Sequence, residues 1–133
     1  MVLPFDFVIS GPPLSRQAKR RNLRNWRQDV QNAARATWPE GDLPFIGDVQ
    51  ITIVNFYSGT SADVDNIPKP ILDALKELVY IDDEQVTDII CRKRSLQSEL
   101  RIENPTIVEA LISGNEFLYI LAEAAPDQEE LML

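Results

Sequence analysis

Histidine is absent from the 133-residue chain, and cysteine occurs once, as Cys91. Without an imidazole there are no Ser–His or Cys–His nucleophile pairs, no histidine general base and no histidine-bound zinc. A single thiol excludes an internal disulfide and any multi-cysteine metal site. Long apolar runs are missing too. The longest, such as Leu118–Ala122, fall far short of the ~20 residues that span a bilayer. No basic flank leads into an apolar core at the N-terminus, so no secretory signal is expected, and a cytoplasmic protein without membrane contact is. The chemistry left to such a chain is that of carboxylates, Lys, Arg, Tyr, Ser or a hard metal ion.

What is abundant is acid. Asp and Glu number 21 against 13 Lys and Arg, a net charge of −8. The imbalance is uneven. Residues 1–40 carry seven basic and three acidic residues, residues 41–91 two and ten, residues 92–103 four and two, and residues 104–133 none and six. A pI near 4.5 argues against a surface coated in nucleic acid by bulk charge, yet leaves room for a local basic face beside an acidic pocket. The crowded carboxylates of the middle block call for a partner that offsets their repulsion, and a divalent cation is one.

Hydrophobic periodicity orders the chain. Leu3–Ser10 reads as a strand, with Phe5, Phe7 and Ile9 on one side. After Gly11-Pro12-Pro13, Ser15 is the expected N-cap of a long helix to about Thr37. Leu23, Trp26, Val30, Ala33 and Ala34 form its apolar stripe, which makes Trp26 a core residue. Asp48–Ser58 alternates as a strand, Gly59–Asp65 is a polar loop, and Pro68–Val79 reads as a helix with its prolines in the first turn. Gln85–Leu96 is a strand, Pro105–Ser113 a short helix, Glu116–Ala122 a last strand, and Arg101–Ile102 too short to assign. The order predicts one α/β (α+β) domain over residues 1–125, with a mixed β-sheet of about four to five strands and two main helices. Residues 126–133 are expected to form a flexible acidic tail.

The segment SADVDNIPKPILDALKELVYIDDEQVTD, Ser61–Asp88, concentrates the chemistry. Asp63 and Asp65 precede a helix, Lys69 and Asp73 share a face of it one turn from Asn66, and Asp82 and Asp83 follow it. Asp83 approaches Asp63 only if the strand after it runs back along the helix. Several carboxylates held together need a cation, and oxygen-only ligands suit Mg²⁺ or Mn²⁺. Taken singly, the same residues have structural readings. Asp65 or Asn66 can cap the helix, Lys69–Asp73 can be a solvated ion pair, and Asp82–Asp83 can be a turn. A calcium loop fails, because Pro68 falls where its tight-turn glycine should be and Ala74 where its bidentate glutamate should be.

Taken jointly, the pattern D-x-D-N-x-x-K-x-x-x-D-A-L followed by V-Y-x-D-D-x-Q-V resembles the signature of the RusA family of Holliday-junction resolvases. Here it reads Asp63, Asp65, Asn66, Lys69, Asp73, Ala74, Leu75, then Val79, Tyr80, Asp82, Asp83, Gln85, Val86. The opening FVISGPPLSRQ, Phe7–Gln17, is similar to the family's start, a strand leading to Gly-Pro and a basic segment. The resemblance implies a homodimeric, Mg²⁺- or Mn²⁺-dependent endonuclease that cuts four-way DNA junctions by paired symmetric nicks. It implies Asp63, Asp65 and Asp83 as metal ligands and Lys69 as a supporting basic catalytic residue. Asn66, Asp73 and Asp82 occupy matching positions of less defined role.

DNA phosphates require Arg or Lys. Two clusters supply them: Arg16, Lys19, Arg20, Arg24 and Arg27, largely on one helical face, and Arg92 and Arg94, which alternation places on one side of a strand with Lys93 on the other. Their structural reading is a solvated helix face and a charged edge strand. Exposed apolar residues such as Phe117–Leu121 are candidates for a dimer interface. Two other readings stand beside the nuclease: a non-catalytic DNA-binding or phage-type accessory protein that kept the fold, and an acidic interaction protein whose Asp cluster is only a turn.

Overall fold

Alternating apolar residues build four strands that join in one mixed sheet. They are β1 (Phe5–Ser10), β2 (Val49–Tyr57), β3 (Val86–Ser95) and β4 (Phe117–Ala124), in the order β1-β4-β2-β3. β4 is antiparallel to both β1 and β2, whereas β3 runs parallel to β2 and forms an edge. The structure, a computed structural model, describes residues 3–15, 17–131 and 133. The expected fold class holds. Helices α1 (Arg20–Thr37) and α2 (Pro68–Leu75) cover one face of the sheet, and the short α3 (Pro105–Leu111) packs on the other.

The larger core lies under α1 and α2. Trp26, Val30 and Ala34 of α1 and Ile71, Ala74 and Leu75 of α2 meet Ile51, Ile53, Leu118 and Ile120 from the sheet. Trp26 is therefore the core residue its spacing predicts. The second core joins Phe56, Ile107, Phe117 and Tyr119 under α3, with Phe56 and Phe117 stacked at 4.6 Å. A parallel β2–β3 pair requires a crossover connection. Residues 58–85, with α2 inside them, supply it and carry the acidic motif across the larger core.

Three expectations are corrected. Helix α1 starts at Arg20, because Ser15 forms a local turn instead, its hydroxyl accepting from the Gln17 amide at 3.1 Å and its carbonyl from the Ala18 amide at 2.9 Å. Helix α2 stops at Leu75, four residues early. Lys76 is extended and Glu77 sits at φ 75°, which turns the chain so that Val79 and Tyr80 become fully buried and the Val79 carbonyl accepts from the Phe45 amide at 2.8 Å. Phe117–Leu121 is no exposed patch: β4 lies between β1 and β2, and Phe117, Leu118, Tyr119 and Ile120 are buried.

Candidate active site

The polar loop after β2 is tied down from below. Asn55, fully buried at the end of β2, donates through Nδ2 to Ser61 Oγ at 2.9 Å, and that hydroxyl donates to the Ala62 carbonyl at 3.0 Å. The loop then enters a single 3-10 turn, Val64–Asn66, that packs beside β3 and leads into α2. Pro68 and Pro70 fit there because the first turn of a helix has amides without intrahelical acceptors. Asp63 and Asp65 are exposed, and neither they nor Asn66 cap the turn or α2 through a side chain. Neither carboxylate is paired with another described residue.

Along α2, Lys69 Nζ meets Asp73 Oδ1 at 2.9 Å, with the lysine side chain 57% exposed. Such an exposed pair contributes about half a kcal/mol or less. Arg24 and Arg27 of α1 line a shallow depression with Asp73 and Ala74, so part of the basic helix face lies beside the last turn of α2, at the end away from Asp63 and Asp65. Lys19 and Arg20 stand exposed at the start of α1, and Arg16 lies outside the described residues.

At the far end of α2 a second group forms. Asp83 Oδ2 approaches Lys76 Nζ at 3.7 Å. Tyr80 donates to the Leu72 carbonyl at 2.6 Å. Burial pushes the Tyr80 phenol well above its ordinary range, and the carboxylates of Asp83 and Asp73 push it the same way. Tyr80 thus stays protonated and serves packing, not proton abstraction. Asp82 is the cap of the turn Asp83–Gln85, accepting from the Glu84 amide at 3.4 Å. The structural reading of Asp82 therefore applies, and the one for Asp65 and Asn66 as caps does not.

The strand after Asp83 does run back along α2, but its later part, not Asp83, passes the Val64–Asn66 turn. Asp65 precedes α2 and Asp83 pairs with the residue that ends it, so the eight-residue helix, about 12 Å long, separates them. Among the described residues no three Asp, Glu or Cys side chains are grouped to hold a metal ion. The exposed oxygen donors of Asp63 and Asp65 suit a hard divalent ion in chemistry. Asp83 of the same chain is not grouped with them.

Register also divides the basic residues of β3. Ile53 pairs with Cys91 and Asn55 with Lys93, so Cys91 and Lys93 share the face covered by α1 and α2, and Lys93 Nζ lies 5.8 Å from the Tyr57 ring centre. Arg92 and Arg94 pair with Val54 and Phe56 and face α3. Arg92 and Arg94, named from sequence, are thus on the face away from Asp63 and Asp65, and Lys93 is the β3 cation on their side. Asn55, which anchors the loop leading to Asp63, is the supporting residue that sequence reasoning missed; a lone Asn on the apolar side of β2 was the available signal.

A small mixed-sheet protein with an acidic crossover connection and a basic neighbouring helix is the class these observations define. The sequence matches the family model described as Endodeoxyribonuclease RusA over residues 13–103. The chain belongs to the RusA endodeoxyribonuclease family, whose members are Holliday-junction resolvases acting on branched DNA. A comparison with curated proteins returned no match. Among the described residues no helix is long and apolar enough to cross a membrane.

Proposed function

We propose that this protein is a Mg²⁺- or Mn²⁺-dependent endodeoxyribonuclease that resolves four-way DNA junctions by paired, symmetric phosphodiester cleavage. The observation that carries this reading is the intact motif, with Asp63 and Asp65 exposed and, among the described residues, without an ion-pair partner at the head of α2, inside a segment that matches the family. When bound, a divalent ion supplies Lewis-acid stabilisation of phosphoryl charge and an activated water. Lys69, exposed on the first turn of α2, presents an ammonium suited to a phosphate oxygen. Arg24 and Arg27, beside the last turn of α2, would hold phosphates at a distance from the Asp63–Asp65 pair.

Symmetric cuts need two sites related by a two-fold axis, so the working unit is a homodimer. The separation of Asp83 from Asp65 within one chain supports the same reading, since a second copy could bring its own Asp83 to the Asp63–Asp65 pair. That separation is also the one observation that favours the non-catalytic accessory reading. Cleavage of a synthetic four-way junction in Mn²⁺, run beside linear duplex, decides between them. Paired nicks confined to the junction support the resolvase. Binding without any nick, by a protein that is dimeric under the assay conditions, supports the accessory protein.

A further inference from the structure

On the sheet face away from Asp63 and Asp65, a groove of about 470 Å³ opens between β3 and the chain that returns from it to α3. Arg92, Arg94 and Arg101 stand around it, and Val54, Ile102 and Ile107 form an apolar floor. The one acidic residue along it is Glu99, and among the described residues none of the three arginines is ion-paired. In a chain with 21 acids and 13 bases, three adjacent unneutralised guanidiniums create a positive field that the surrounding carboxylates do not cancel.

We propose that this groove binds a short unpaired stretch of single-stranded DNA, with phosphates on the arginines and a base against the apolar floor. The inference rests on the junction-cleaving function proposed above and adds a second DNA surface to it. Arg92 and Arg94, two residues apart on a strand, project about 6.6 Å from one another. That spreads the charge along a line, as successive phosphates demand, whereas a single inorganic anion would call for convergence. Guanidinium forks bind phosphate oxygens in pairs and stack on bases. A duplex presents charged backbone outward and hides its base faces, so it has no use for an apolar floor. An unpaired strand uses both. The volume lies in the range of small-ligand sites, too small to admit a duplex face. Because β3 is the sheet edge, a displaced strand can pass around it from the carboxylate face to the arginine face.

The test is fluorescence anisotropy of a labelled short oligodeoxythymidine with the full-length protein in EDTA, repeated over a salt series. Arg94→Ala and Arg101→Ala should each weaken binding several-fold and reduce the slope of log affinity against log salt by about 0.7. Ile102→Ala should weaken binding with the slope unchanged. Equal affinity for wild type and all three variants would overturn the proposal. So would displacement of the oligonucleotide by an equimolar glutamate-rich peptide, which would mark the groove as an acidic-peptide site. The assay contains no divalent ion and needs no cleavage, so its failure leaves the nuclease reading standing. Failure of junction cleavage would in turn not alter its outcome.

Discussion

Gln85 reaches back 40 residues to donate a 2.7 Å hydrogen bond to the carbonyl of Phe45. The same amide donates to the Gly47 carbonyl at 2.8 Å, while its Oε1 accepts from the amides of Ile81 at 2.8 Å and Asp82 at 3.0 Å. One side chain thus staples the turn bearing Asp82 and Asp83 to the entry of β2.

Replacing it tests that role. Gln85→Leu keeps the bulk and removes four hydrogen bonds, each contributing about 0.5–1.5 kcal/mol net. The expected loss of stability is about 2–6 kcal/mol, read from the urea midpoint. A variant as stable as the parent would show that the turn is held by its backbone alone.

Much of the fold was legible because its strands are bounded by clear breakers and its helices carry 3.6-residue stripes, as in Trp26, Val30 and Ala34. The end of α2 was not. Leu78 and Val79 continue the helical period, and only the burial of Tyr80 against the chain at Phe45 turns them out of the helix. Proximity in space was equally hidden. The motif places Asp63 and Asp83 in one pattern, but local spacing carries no information on which end of the crossover each occupies. Which face of β3 meets the site depends on strand order, so Arg92, Lys93 and Arg94 could not be sorted before the sheet was known.

Tyr119 predicts an alkaline limit. Burial raises its phenol from 10.0 to about 12, and the hydrogen bond its hydroxyl donates to Asp6 Oδ2 at 2.8 Å acts in the same direction. A group whose folded pKa exceeds its unfolded value contributes stability that is full below pH 10 and lost as pH rises toward 12. The contribution is on the order of 2 kcal/mol. Stability should therefore fall over that interval, and Tyr119→Phe should flatten the fall. Denaturant melts at stepped pH measure it, and parallel pH profiles would contradict it.

Cys91 reports on the face assignment of β3. Burial pushes its thiol from 9.0 up to about 11, and Lys93 draws it partly back. At pH 8 the thiolate fraction should be about 100-fold below that of free cysteine, so labelling by Ellman's reagent should be slower by at least that factor. Lys93→Gln should slow it further and Arg92→Gln should leave it unchanged. The reverse ranking would place Arg92, not Lys93, on the Cys91 side.

A shared site between two copies predicts complementation. Asp63→Asn and Asp83→Asn should each be inactive on junctions. After mixing and subunit exchange, heterodimers carry one site with both ligand defects and one intact site, so single-strand nicking should return. Continued inactivity in a mixture shown to contain heterodimers would place all three ligands within one chain.

The most direct measurement is cleavage of a synthetic four-way junction by wild type and Asp63→Asn in the same Mg²⁺ or Mn²⁺ buffer, with junction binding followed in parallel. Asp63→Asn removes a negative oxygen ligand and keeps its shape, so cleavage should fall at least about 100-fold, a barrier increase of some 2.7 kcal/mol. Binding should be retained or strengthened, because a carboxylate that repels phosphate has gone. Cleavage by the variant at the parent rate would contradict the account, and Asp63 would then be no metal ligand.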